Sequence, residues 1–212
     1  MADASPPDSP VARSPITPAP PTAVVDGWEV SRRRAGGPLT LADRTPLAKV
    51  LVRADPAGVY ARDARVPFGG VARVDGRLVI GSGVGEWLLL GPVGGAPELV
   101  AAAEARAAGE LVSAIDVTHG RALVRLTGTR APAVLSRLCA IDLADHAVPD
   151  HRAFRSWVAK VVTDVVRDDL GGIRSYLLHC ERSAGQYLFD AILGAGADLG
   201  PEVDGFADDH TA

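Results

Sequence analysis

The sequence predicts an α+β fold: antiparallel sheets with helices packed on one face. Three observations carry the α+β class. Short apolar runs rich in Val, Ile and Leu are bounded by Gly and Asp-Gly turns. Two segments repeat their apolar residues at helical spacing. From residue 111 onward the order is strand, strand, helix, strand, strand, helix, which makes hairpins backed by helices.

Each element has its own justification. Residues 47–53 and 71–80 read as strands, the second broken by a turn at Asp75-Gly76. Glu86 to Leu90 is a short apolar strand. Pro97 to Ala108 is an Ala-rich helix stopped by Gly109. Residues 111–117 form a strand leading to a turn at His119-Gly120. Along 121–127, Ala122, Val124 and Leu126 alternate with Arg121, Arg125 and Thr127, the pattern of a half-buried antiparallel strand. Ala131, Val134, Leu135 and Leu138 follow helical spacing, with Pro132 tolerated in the first turn. Residues 158–166 and 175–180 are further strands. Ser183 and Gln186 fit a capping box opening a last helix, with Ala184, Tyr187, Leu188, Ala191 and Ile192 as its apolar stripe and Gly194 at its end.

The chain divides into three parts. Residues 1–25 are expected to be a disordered tail, because Pro6, Pro7, Pro10, Pro15, Pro18, Pro20 and Pro21 remove backbone donors. Residues 26–200 form one α+β domain. Residues 201–212, with Glu202, Asp204, Asp208 and Asp209, are expected to be an acidic disordered tail.

Composition narrows the function. The 212 residues are 47% hydrophobic but only 5% aromatic, so aliphatic side chains must fill the core. A net charge of -4 lacks the basic footprint that nucleic acid demands. No apolar run has the length of a membrane span, and the N-terminus has no signal-peptide pattern. Cytoplasm is the expected location. Cys139 and Cys180 are too few for a disulfide scaffold and read as buried thiols.

The motifs that invite chemistry mostly fail. Gly81-Ser82-Gly83-Val84-Gly85 follows a strand, but Trp87 to Leu90 continues as strand, so no helix N-terminus is available to hold pyrophosphate. The segment reads as a flexible turn. The five histidines show no zinc spacing, and a non-local set of Cys139, Cys180 and His179 is disfavoured. Asp116, Thr118 and His119 combine a carboxylate, a hydroxyl and an imidazole. Their place at a strand end favours backbone hydrogen bonding over nucleophilic chemistry. Arg32-Arg33-Arg34 reads as a solvated patch. Trp87 and Trp157 read as core or interface anchors, and Trp28 as a residue able to pack on a partner. No catalytic, cofactor-binding or metal-binding residue is assigned.

A run of segments then resembles a known family. Ile115-Asp116-Val117-Thr118-His119-Gly120-Arg121 leads into Val124-Arg125-Leu126-Thr127-Gly128 and then Val134 to Leu143. With Gly85 to Pro92 upstream, and Tyr176-Leu177-Leu178, Glu181-Arg182-Ser183 and Tyr187-Leu188-Phe189 downstream, the chain resembles the gamma subunit of heterotetrameric sarcosine oxidase over residues 45–197. Thr118 departs from the family's more usual Ser but keeps the hydroxyl. The resemblance implies an aminomethyltransferase-like, folate-binding-like fold and an accessory, non-catalytic subunit in a complex that demethylates sarcosine to glycine, forms hydrogen peroxide and passes a one-carbon unit to tetrahydrofolate. It implies that FAD, FMN, NAD, tetrahydrofolate and zinc lie on the partner alpha, beta and delta subunits, mainly with alpha in contact, and that this chain binds no cofactor. A stand-alone folate-binding protein is the alternative, with Asp116, Asp142 and Asp164 as candidate carboxylates. A small hydrolase using Thr118 or His119 is a third reading.

Overall fold

The computed structural model describes residues 10–207. In chain order it has β1 (Ala12–Arg13), β2 (Thr22–Val25), β3 (Trp28–Ser31), β4 (Leu39–Asp43), β5 (Ala48–Ala54), α1 (Val59–Ala64), β6 (Val71–Val74), β7 (Arg77–Gly83), β8 (Glu86–Gly91) and α2 (Ala96–Arg106). There follow β9 (Val112–Asp116), β10 (Arg121–Gly128), α3 (Ala131–Leu135), β11 (Ala153–Val158), β12 (Val161–Arg167), β13 (Ser175–Glu181), α4 (Gly185–Ala195) and β14 (Glu202–Asp204).

Strand alternation explains the layers. In β10, Ala122, Val124 and Leu126 point to one side, where Tyr176, Leu178 and Cys180 of β13 join them. Helices α3 and α4 cover this face with Val134, Leu135, Leu188 and Ile192. In β5, Ala48, Val50 and Val52 point the opposite way in the molecule, under Tyr60 and Ala64 of α1 and Leu99 and Ala103 of α2. The inner faces then meet: Leu78, Ile80, Leu88 and Leu90 pack against Leu123, Val166 and Leu177. Each sheet therefore carries helices on one face only, as its one-sided apolar pattern demands.

The six-stranded sheet runs β11-β12-β13-β10-β4-β14, and the five-stranded sheet runs β6-β7-β8-β5-β9. A small sheet, β1-β3-β2, sits beside them. Nearly all neighbours are antiparallel; β1 with β3 and β14 with β4 are parallel. The fold is thus mixed rather than purely antiparallel, because strands from the two chain ends join edges that hairpins cannot reach.

That point corrects the expected tails. Within residues 10–25, Ile16 is buried in the main core and β1 and β2 pair with β3. Thr17 N–H donates to Gln186 Oε1 at 2.7 Å, and Arg182 reaches Arg13 O at 2.6 Å. At the other end β14 joins β4, and Phe206 is buried. Proline forbids neither edge strands nor docked extended chain, and a single buried Ile or Phe anchors each segment. Residues 1–9 and 208–212 of the expected tails lie outside the described residues.

Other expectations shift locally. Strand β10 is buried on both faces, not half-buried, because it lies in the middle of its sheet with the second sheet across it. The strand expected over 158–166 begins only at Val161, as β12; Val158 ends the preceding strand β11, and the hairpin turns at Ala159 and Lys160, which take φ of 49° and 67°. The capping box does not form: Ser183 lies in a 3-10 turn, and Gln186 bonds Thr17 and Asp190 instead. Helix α4 buries Leu188, Phe189 and Ile192, while Tyr187 of the expected stripe is exposed.

Candidate functional site

The inner faces of the two sheets are apolar at one end of their interface and polar at the other. The polar end encloses a cavity of about 100 Å³. Alternation builds it. Leu51 and Arg53 leave β5 on the face opposite its helix-covered residues. Glu86 and Leu88 come from β8, and Ser82 from the bulged end of β7. The other sheet supplies Arg155 from β11, Asp164 from β12 and His179 from β13, residues that stand in register across three strands. Val117 and Arg121 complete it.

The charges in this cavity are largely spent on one another. Arg53 Nε donates to Glu86 Oε2 at 2.9 Å, and Ser82 Oγ donates to Glu86 Oε1 at 3.1 Å. Arg155 Nε donates to Asp164 Oδ1 at 2.6 Å. His179 Nδ1 lies 3.3 Å from Asp164 Oδ2. Arg121 pairs with Glu181. Burial raises the Asp164 carboxyl, but the bonds from His179 and Arg155 outweigh it and hold the acid below the usual carboxylate range. Burial pushes His179 below the usual imidazole range, against the pull of Asp164. A neutral imidazole donating Nδ1–H to an ionised Asp164 leaves Nε2 as an acceptor, and this buried atom has no hydrogen-bond partner among the described residues.

Deeper between the sheets, Lys49 is fully buried. Its Nζ donates to Thr45 O at 2.6 Å and Leu47 O at 2.7 Å. Burial pulls its pKa down to about 7, opposed by Asp43 and Asp116. On the other side, Asp168 takes Arg125 Nη2 at 2.8 Å and Arg73 Nη2 at 3.0 Å, a buried carboxylate clamped between two sheets.

The cluster at Asp116, Thr118 and His119 is built for the backbone. Asp116 Oδ1 accepts Thr118 N–H at 2.8 Å, and Thr118 Oγ1 accepts Lys49 N–H at 3.0 Å. His119 stacks on Trp28, with ring centroids 4.8 Å apart. Trp28 is therefore buried inside this chain rather than offered to a partner. Trp87 is buried, with Nε1 on Val66 O, and Trp157 is 64% exposed. Of the glycine-rich segment, Gly81-Ser82-Gly83 forms the bulged end of β7, and only Val84-Gly85 makes the turn into β8. Cys139 and Cys180 are buried free thiols. Cys180 and His179 point to opposite faces of β13. Among the described residues no set of three His, Cys, Asp or Glu side chains could hold a metal ion.

Of the carboxylates considered for folate, Asp164 alone lines the cavity. Asp142 accepts Ala144 N–H at 2.9 Å in a surface turn. Sequence reasoning missed Arg53, Glu86 and Arg155 as site residues and weighed His179 only as a metal ligand. The signal was present as polar residues standing two apart from apolar ones in strands otherwise suited to a core.

No protein-family model and no curated protein matches the sequence. Solved structures do. A chain of heterotetrameric sarcosine oxidase from Corynebacterium sp. U-96 superposes with a TM-score of 0.67 at 22% identity, over 79% of this chain and 89% of that one. Aminomethyltransferase T of the glycine cleavage system from Bartonella henselae superposes with a TM-score of 0.65 at 17% identity. The chain has their fold. The second likeness covers 87% of this chain and 55% of that one, so this chain spans about half of the aminomethyltransferase. No helix among the described residues is long and apolar enough to cross a membrane.

Proposed function

We propose that the chain is the gamma-type, non-catalytic subunit of a heterotetrameric sarcosine oxidase, supporting demethylation of sarcosine to glycine with hydrogen peroxide formation and one-carbon transfer to tetrahydrofolate. The observation that carries this reading is the extent of the likeness. The superposition with the sarcosine oxidase chain takes in most of both chains, whereas the aminomethyltransferase has nearly as much again beyond it. On this reading FAD, FMN, NAD, tetrahydrofolate and zinc are held by the alpha, beta and delta partners.

A stand-alone folate-binding protein is the second reading, favoured by the aminomethyltransferase likeness. The cavity fits it badly. Sites for ligands of that size have volumes of roughly 300–1,000 Å³, and this one has about 100 Å³. Both of its carboxylates are already engaged by arginines. A pterin would have to displace those ion pairs to gain a carboxylate.

The deciding experiment isolates the tagged chain from its native host and records a visible spectrum, the co-purifying chains and sarcosine-dependent peroxide formation. Larger flavin-bearing chains and peroxide are expected. A single colourless chain with calorimetric folate binding would replace the subunit reading with the folate one.

A further inference from the structure

A groove of about 520 Å³ opens between α1, the loop after it and the tip of the β7–β8 hairpin. Val66, Pro67, Phe68, Val84 and Trp87 give it an apolar lining. Its frame is fixed. Trp87 Nε1 donates to Val66 O at 2.8 Å, Gly69 N–H to Gly81 O at 2.8 Å, and Gly70 N–H to Pro67 O at 2.8 Å. These bonds hold the backbone on both sides of Phe68, yet Phe68 is 60% exposed and Val84 is 78% exposed. An aromatic side chain presented on a pre-ordered loop has already met the ordering cost that a flexible loop meets on binding.

The rim carries charge of one sign. Arg62 and Arg65 line the groove, and among the described residues no carboxylate does. Arg62 Nη1 bonds Ala57 O, and among the described residues neither guanidinium has a carboxylate within ion-pair distance. This is a local basic excess on a chain of net charge -4. Arg65 also takes φ of 52°, a conformation unfavourable to a long side chain, at the turn that aims the loop.

We propose that this groove docks a segment of a larger partner chain in which an apolar side chain is flanked by carboxylates. The apolar group packs against Phe68 and Val84, and the carboxylates meet the Arg62 and Arg65 guanidinium groups, which suit paired hydrogen bonds. The identification of that chain as an oxidase subunit rests on the function proposed above.

The test uses the full tagged chain in its native host, with benzoylphenylalanine placed at position 68 or 84, and at exposed position 187 on α4 as control. After illumination, crosslinks from 68 and 84 to one acidic stretch of a larger chain are expected, with none to that stretch from 187. The Arg62→Glu, Arg65→Glu double variant is expected to associate roughly 30-fold more weakly with an unchanged melting temperature. An intact oxidase assembly whose crosslinks come from 187 and not from 68 or 84, or reach an acid-free stretch, overturns the docking site and leaves the subunit reading standing. Crosslinks to a second copy of this chain overturn the site. A chain isolated alone overturns both.

Discussion

Lys49 is one of only two lysines in the sequence, and it is buried between the sheets with backbone carbonyls around its ammonium. Its burial makes a pH-dependent stability term of unusual sign. The folded pKa is about 7, against 10.5 for an unperturbed lysine. Between those values the unfolded chain holds a proton that the folded chain has released. Stability therefore rises with pH across this window, and the contribution is least favourable below pH 7, where both states are protonated. Lys49→Met has no such proton. Urea unfolding of both proteins at pH 7 and pH 9 should find the wild type gaining about 2 kcal/mol relative to the variant. The groups common to both cancel in this difference, so parallel pH profiles would mean that Lys49 stays charged in the folded state.

At the scale of elements, the glycine-rich segment has a packing explanation in place of a nucleotide. A Cβ on Gly81 would stand 2.1 Å from Pro67 O, because the loop at 67–70 lies directly on β7. Gly81→Ala must push that loop away and break the bonds that Gly81 makes with Gly69 and Gly70. Overpacking of this kind costs about 1–3 kcal/mol. Gly36→Ala, with nothing near its added Cβ, should stay within about 0.5 kcal/mol. Equal unfolding midpoints for the two variants would remove the close-approach argument. The same elements mark how far the sequence could be read. Strand β10 was legible from its regular alternation, and helix α2 from its alanine content and the Gly109 stop. The β11–β12 turn was not, because Ala159 and Lys160 adopt positive φ without the Gly or Asn that normally marks such a turn. Helix α1 is six residues of mixed polarity whose helicity comes from burying Tyr60 and Ala64, so no periodic signal precedes it. The cavity was half legible: Asp164 stood out as a carboxylate, but only register across β11, β12 and β13 brings Arg155 and His179 to it.

For the whole molecule, both ends of the described chain close on the same region. Ile16 reaches the core beside Phe189, and Phe206 lies beneath the Arg44 guanidinium, 5.8 Å from its ring centroid. Glu202 accepts Gly36 N–H and Gly37 N–H, and Asp204 accepts Ala35 N–H. Glu202 and Asp204, two of the acidic residues behind the expectation of disorder, fasten the segment, because backbone donors of the 35–37 loop have no strand to pair with. Composition averages over such specific partners, which is why it misreads both ends. Gly205 O also accepts Arg44 Nη1 at 3.0 Å, deep in the fold. Deleting residues 201–212 removes a strand, a buried aromatic ring and these bonds together. Loss of a buried Phe side chain alone costs about 3–5 kcal/mol, so the truncated chain should lose at least that much in urea unfolding. Separate deletion of residues 208–212 provides the comparison, since it spares β14 and Phe206. A truncation at 200 as stable as the full chain would mean that β14 adds nothing to the sheet edge it covers.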